Sequence, residues 1–431
     1  MRTVSKTVIG VDFGTQSARA VLVNAENGEI IYSCRKEYPY NSTPVPAIDC
    51  AENLPCATDY EMTLYELLRN VIPEEYRKTV AGICVDATSL TMVLLAEDGR
   101  ALSELDGWSE AAHARVKLWK YHRAQEKADE ALNLARNLQE PFLGRTGGSI
   151  SCEWMLPKLL EVRDEAPEIY SKIDLAMDLC EFLTFRLTGQ LVRSIGSLSY
   201  KCLWAEDLSF PERTFLNGLR AGFYEEYCHF LRGDVRKLGE CAGVLRSELT
   251  KRWGLPEQIP VATGMLDGHT SLATMGAFEP GDAALIVGTS NVCTVQDRKL
   301  QELKDVCGVA QDGMVTGSCG IDTGQSSTGN MLGWFVEHMA GWQIHREAEE
   351  RKISPHQVLA ERIQKPWENK VIAVDWWSGS RNAPCDLTLR GSMSGLEMDT
   401  KTEDIYLALL QAIACGTGTI LESLSGQGVE I

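Results

Sequence analysis

Asp12 stands where an apolar run gives way to a glycine turn in VIGVDFGTQSARAVLV (8–23), a setting in which one carboxylate and several backbone amides can meet the same ligand. Val8, Ile9 and Val11 read as a buried strand, Gly14 breaks it, and Arg19 to Val23 resumes the alternation, so the chain is expected to return antiparallel. Gly14 is expected in backbone angles closed to other residues. Thr15, Gln16 and Ser17 add donors, so successive N–H groups would converge on a phosphate oxygen. A carboxylate beside phosphates calls for a divalent cation between them, and Asp12 is read as a ligand for Mg2+. An ordinary hairpin closed by an Asx-type turn fits D-x-G-T equally well.

Asp267 is the second candidate. It follows a strand-like run, PVATGM (260–265), and precedes a plausible helix, so it fits a helix N-cap. It also fits a general base that takes the proton of a substrate hydroxyl as that hydroxyl attacks a phosphoryl group, because a neutral alcohol is a poor nucleophile. Lys201, among apolar neighbours in SYKCLW (199–204), either binds something polar or snorkels to solvent.

These residues need elements to hold them. The opening pattern recurs at Val80 to Leu95, where a strand ends in Asp86, bends through Thr88 and Ser89, and returns. It recurs again at Ala284 to Val295, with Gly288, Thr289 and Ser290 at the turn. Two Gly-Thr hairpins far apart in sequence suggest two related domains that each offer a loop to one phosphate chain, the pattern of the actin-like ATPase (ribonuclease H-like) fold. Helices are expected over Ala111–Asn137, Trp154–Ala166 and within Lys401–Leu424, the last with a core-facing stripe at Ile405, Leu409, Ala412, Ile413 and Ile420. The charge from Lys117 to Glu130 reads as a solvated helix face. Alternating strands and helices make the chain α/β. The turn FEPG sets the expected boundary, giving domains over 1–279 and 280–431.

Several classes are disfavoured. A net charge of -18 over 431 residues argues against nucleic acid or an acidic membrane as principal partner and favours a small substrate. The 14 cysteines are scattered without C-x-x-C pairs, and MRTVSKT runs straight into a strand without a leader or a membrane span, so reduced thiols and a cytoplasmic location are expected. Cys84, Cys293 and Cys319 read as small core residues, and no zinc site is expected. No Gly-Lys pair occurs, which excludes a Walker A loop. DFG lacks the HRD and V-A-I-K companions of a protein kinase.

With the hairpins in view, the chain resembles the FGGY carbohydrate kinases, most closely their ribulose-phosphorylating branch. The resemblance runs nearly end to end. It rests on VDFGTQSARA (11–20), VDATSLT (85–91), HARVKLWK (113–120), CEWMLPKLL (152–160), SYKCLW, GMLDGHTS (264–271), VGTSN (287–291), GQSSTG (324–329) and DWWSGSR (375–381). It implies an ATP- and Mg2+-dependent transfer of the γ-phosphoryl group to a terminal hydroxyl of a ketopentose, with L-ribulose the expected sugar. It implies Asp267 as catalytic base, Ser89, Lys201, Asp267 and Asp322 as sugar ligands, and Asp12, Gly14, Thr15, Gln16, Ser17, Gly288 and Thr289 on the nucleotide side, with the metal at Asp12. Gln325 and Ser326 would lie nearby, and Lys117 and Trp119 would line the cleft unless Trp119 is core. Two departures bear on the sugar: Asp322 stands where the family usually has Glu, and Ala87 where this branch usually has Phe. A third is the stop at Ile431, where the family normally continues with the segment that holds adenine. It implies an incomplete second domain. Either the product is a working kinase, with a homo-oligomer or another partner covering that lobe, or it is a remnant that binds sugar without transferring phosphate.

Overall fold

The computed structural model describes residues 5–38, 54–364, 368–381, 386 and 388–431. The chain divides into two compact units. The first comprises Met1–Leu143, Ser149–Thr274 and Ala310–Cys319, and the second Gly144–Gly148, Met275–Val309 and Gly320–Ile431.

The first unit is built on a seven-stranded sheet. Strands β1 (Thr7–Phe13), β2 (Ser17–Asn24) and β3 (Ile30–Glu37) form an antiparallel meander, and β4 (Val80–Ala87) lies parallel to β1 on its other side. Strand β1 alternates, burying Ile9, Val11 and Phe13, the pattern of a strand with one face on a core. That face packs against the helix Ala57–Val71, whose Tyr60, Leu64, Leu67 and Leu68 are buried in the same cluster. Each such fully buried large side chain contributes about 1.5–3 kcal/mol.

The expected return of Val80–Leu95 as a hairpin is overturned. Strand β5 (Met92–Leu95) leaves the sheet and pairs antiparallel with β6 (Leu175–Asp178). The reason is that β4 has no free edge: β1 flanks it on one side, and on the other, beyond β7 (Val192–Ser194), β8 (Asp234–Arg236) and β9 (Cys241–Val244) in the chain, β10 (Pro260–Ala262) and β11 (Met265–Leu266) pair with it parallel. The connecting turn is sharp, and Leu90 takes φ 46°, a left-handed conformation costly for a branched side chain.

The helix expected over 111–137 begins only at Gln125 and runs to Leu138. Upstream, Lys117 exchanges backbone hydrogen bonds with Met92 (2.9 and 3.1 Å), an isolated bridge flanked by turns that keeps HARVKLWK out of a helix. The helices Met155–Glu165 and Thr402–Gly426 match their expected spans within a few residues.

The second unit carries a sheet of order β12 (Ala283–Val287), β13 (Asn291–Asp297), β15 (Cys319–Gln325), β14 (Gly308–Gln311), plus a small pair, β16 (Ile372–Val374) and β17 (Ser392–Ser394). Strands β12 and β13 form the expected hairpin, closing with Val287 opposite Asn291. In the helix Thr402–Gly426, Leu409, Ala412 and Ile420 are buried while Ile405 and Ile413 pack partly buried on the second core. By length and composition this helix could also cross a membrane, a test that core helices pass as well. Cys293 and Cys319 are buried in strands as expected, and among the described cysteines only Cys241 and Cys415 are exposed.

Candidate active site

In the first unit three parallel strands end at one level, and each delivers an aspartate. The β1–β4 register sets Asp12 directly beside Asp86, and β11, whose Met265 lies opposite Asp86, releases the chain into Asp267. Asp12 is the open member, with its side chain 41% exposed and Arg19 Nη1 3.9 Å away. Burial pushes Asp86 up to about 8, reinforced by the charge of Asp12, by a hydrogen bond between the two carboxyls and by Asp267, while Thr270 opposes the shift. The Oδ1 atom of Asp86 is buried without a hydrogen-bond partner. From the sequence alone Asp86 reads as a strand end and not as a member of the site. The signal was available as the repeated Val-Asp at 11–12 and 85–86, which only a parallel register turns into neighbours.

Asp267 opens the helix Asp267–Met275, and its Oδ1 accepts the Gly268 N–H at 2.7 Å. Asp267 is thus the first residue inside the helix, bonded to the adjacent amide rather than capping from outside, and this leaves the chemical reading intact. Burial raises this carboxyl to about 7, with the charge of Asp12 adding to the rise. The N–H groups of Gly268 and Ser89 and the nearby Lys201 pull the other way. Lys201 closes the helix Ile195–Lys201 and is half-buried. The Oγ of Ser89 is buried without a hydrogen-bond partner. Asp267, Ser89 and Lys201 therefore converge as expected, around a carboxyl whose proton leaves near neutrality.

The turn after β1 departs from expectation in one respect. Gly14 does not take a positive φ. A Cβ there would instead sit 3.3 Å from the Ser17 carbonyl, so the glycine supplies room rather than special angles. Its N–H is bonded to that same carbonyl at 3.1 Å, and Ser17 is buried with its Oγ accepting from Arg35. Gly14 and Ser17 shape the turn, while Gln16 is exposed and Thr15 half-buried. Trp119 donates from Nε1 to Thr15 Oγ1 at 3.1 Å, so it does reach this turn. Lys117 does not line a cleft, and it is no part of a solvated face. It is fully buried, with Nζ 3.5 Å from Glu161 and 3.3 Å from the Tyr121 hydroxyl.

In the second unit Gly288 and Thr289 are exposed at the tip of the β12–β13 hairpin. The tip is stitched to the start of the helix Gly329–His338: Thr328 Oγ1 and the Gly329 N–H both donate to the Gly288 carbonyl (2.9 and 3.0 Å), and the Asn330 N–H donates to that of Thr289. A Cβ on Gly329 would lie 2.5 Å from the Gly288 oxygen. Asp322 is buried on β15 and raises the neighbouring Cys293 thiol, although burial is the larger cause of that rise. Gln325 faces inward. It accepts from Asn291 and Thr417 and donates to Asp375 and the Ile413 carbonyl, so it ties the hairpin to the last helix rather than reaching for a ligand. Ser326 Oγ is buried without a partner.

Residues 7–274 match the N-terminal domain, and residues 283–431 the C-terminal domain, of the FGGY family of carbohydrate kinases. The ribulokinase of Halalkalibacterium halodurans is 34% identical over 437 residues, covering 99% of this chain and 78% of the relative. That of Mycolicibacterium smegmatis is 36% identical over 438 residues, covering 99% and 77%. Among solved structures, xylulose kinase from Rhodospirillum rubrum superposes with a TM-score of 0.74 at 20% identity (99% of this chain, 80% of that one). Glycerol kinase from Plasmodium falciparum with ADP gives 0.75 at 16% identity (98% and 79%), and at such identities the likeness speaks for the fold. Matched across both of its domains, and more than 30% identical to relatives along nearly its whole length, the chain belongs to the FGGY family of carbohydrate kinases.

Proposed function

We propose that the chain transfers the γ-phosphoryl group of ATP to the terminal hydroxyl of a ketopentose, with L-ribulose as substrate and L-ribulose 5-phosphate as product. The observation that carries this reading is the half-buried Asp267, a carboxyl near pKa 7 at the head of a helix, in a chain 34% and 36% identical to two ribulokinases. A base poised near neutrality can hold the proton that the attacking hydroxyl gives up and release it to solvent afterwards. Ser89 and Lys201 stand beside it to bind sugar hydroxyls, and Asp322 is assigned the same task from the second unit. Residues 1–279 then form the sugar-binding domain and 280–431 the nucleotide-binding domain, where Gly288 and Thr289, with Gly14, Thr15, Gln16 and Ser17 of the first, contact phosphates. A small-molecule reaction of this kind belongs in the cytoplasm.

For Mg2+, the test is the donor set. Among the described residues no three His, Cys, Asp or Glu side chains form a metal cluster. An Mg2+ that arrives with phosphates keeps several waters and needs only one or two carboxylates, which the open Asp12 fits. Bound there, the ion would neutralise charge on the phosphates. Asp12→Ala is expected to raise the Mg2+ concentration required for half-maximal rate at least tenfold, leaving sugar binding by calorimetry unchanged. An unaltered Mg2+ titration would remove Asp12 from the metal site.

The substrate assignment is tested by a coupled ADP-release assay over L-ribulose, D-ribulose, xylulose and glycerol, with calorimetry for ribulose and a non-hydrolysable ATP analogue. L-Ribulose should give the highest kcat/KM. Turnover of another sugar without L-ribulose would reject the substrate, and sugar heat without nucleotide heat would favour a sugar-binding protein that performs no transfer.

A further inference from the structure

Lys158 is fully buried on the helix Met155–Glu165, and its surroundings are unusual for a buried cation. Its Nζ is directed at backbone carbonyls: Leu90 O at 3.0 Å and Leu118 O at 2.9 Å, with Lys117 O at 3.5 Å. Burying an ammonium costs several kcal/mol unless its donors are all used, and here they are spent on fixing loop backbone. Burial pushes this lysine down to about 7, only partly offset by the charges of Glu153 and Asp178. Such an expensive group needs a task.

The task is visible at Leu90. This residue sits in the left-handed region at φ 46°, at the turn where the chain leaves β4. Its carbonyl is held by Lys158, and its N–H donates to Asp178 Oδ2 at 3.0 Å. Asp178 is itself fixed by Ser197 Oγ and the Leu179 N–H (2.9 and 2.7 Å). Next to Leu90 lies Ser89, whose Oγ is buried without a partner; the β4–β11 register, with Leu266 opposite Ala87, brings this turn beside Asp267, whose pKa the Ser89 N–H helps to lower. A strained turn held at both its N–H and its carbonyl cannot relax, so the Ser89 amide stays aimed at the carboxyl.

We infer that Lys158 is a positioning residue for phosphoryl transfer: acting through the Leu90 carbonyl, it locks the Ser89 turn so that the Ser89 N–H and Oγ face Asp267 and the sugar hydroxyl. The inference rests on Asp267 being the base. Misplacing a supporting group by about an ångström can cost up to about a hundredfold in rate. A double-mutant cycle in the full chain tests it, comparing Lys158→Met with and without Asp267→Asn. Lys158→Met keeps the length and apolar stem and removes the donors. We expect its kcat to fall tenfold or more with nucleotide KM changed less than threefold, and we expect the further loss to shrink below twofold in the Asp267→Asn background. Lys158→Gln, which retains two N–H donors, should recover at least half of the lost kcat on a logarithmic scale. Should Lys158→Met fail to fold, the same cycle is run with Lys158→Gln, whose smaller loss must likewise vanish in the Asp267→Asn background.

Equal fractional losses in both backgrounds would mean a general structural role and would overturn the inference. So would full activity of Lys158→Met. Failure of the underlying reading looks different: Asp267→Asn alone would then keep its rate.

Discussion

Asp267→Asn is expected to lower kcat by about 100-fold or more while leaving sugar affinity within about threefold, the pattern of a removed general base. It is also expected to stabilise the protein. The carboxyl has a folded pKa of about 7 against an ordinary 3.8, so the native state holds this proton more tightly than the unfolded chain does. Its burial therefore costs nothing below the lower value, and the penalty grows by about 1.4 kcal/mol for each pH unit between the two. The asparagine variant removes a penalty that is largest above pH 7, and its Oδ1 can still accept the Gly268 N–H. Melting curves at pH 5 and pH 8 should show the variant gaining over wild type chiefly at the higher pH. In the wild type, kcat should decline as pH falls through 7 and the base takes up its proton. A capping residue without chemistry predicts otherwise: near-normal turnover and no pH-dependent gain.

Gly324→Ala should produce the largest loss of stability. A Cβ at this position would lie 2.0 Å from the Asn291 carbonyl oxygen and 3.0 Å from its carbon, both backbone atoms of the neighbouring strand. No rotamer change can relieve such a contact, so β13 and β15 would have to separate. The cost should reach about 4 kcal/mol or more, in the range reserved for severe packing errors. Calorimetry should show the transition of the second unit displaced downward or absent, with the first unit's transition retained. An unmoved transition would mean that the strands yield far more easily than a packed sheet should. Gly333→Ala, where a Cβ meets nothing within 4 Å, is the matched control.

How much of this was legible in the sequence differs from one residue to the next, for physical reasons. The β1–β2 and β12–β13 hairpins were readable because turn and alternation are local. The same signs at Val80–Leu95 misled, since nothing local says whether a strand has a free edge, and β4 is flanked on both sides. Residues 111–124 had helical composition, but the backbone exchange between Lys117 and Met92 claims the segment first. Lys117 looked like a charged surface residue because its partner Glu161 lies 44 positions away and on a different element. Asp12 and Asp267 announced themselves beside glycines, whereas Asp86 acquires meaning only from its register with Asp12. The short segments that the two units exchange, 144–148 and 310–319, leave no local mark either.

The thiols offer a practical opening. Five of the twelve described cysteines are buried, and burial pushes Cys180 and Cys202 among them far above the usual range, so these two should resist alkylating reagents. The two exposed ones, Cys241 and Cys415, fall one in each unit. With the half-buried Cys34, Cys56, Cys84, Cys228 and Cys307 exchanged for serine, together with Cys50 and Cys385, which lie outside the described residues, maleimide dyes would install a donor and an acceptor fluorophore, one in each unit. Single-molecule energy transfer could then follow inter-unit distance as sugar and nucleotide are added, with no new labelling site engineered into the enzyme.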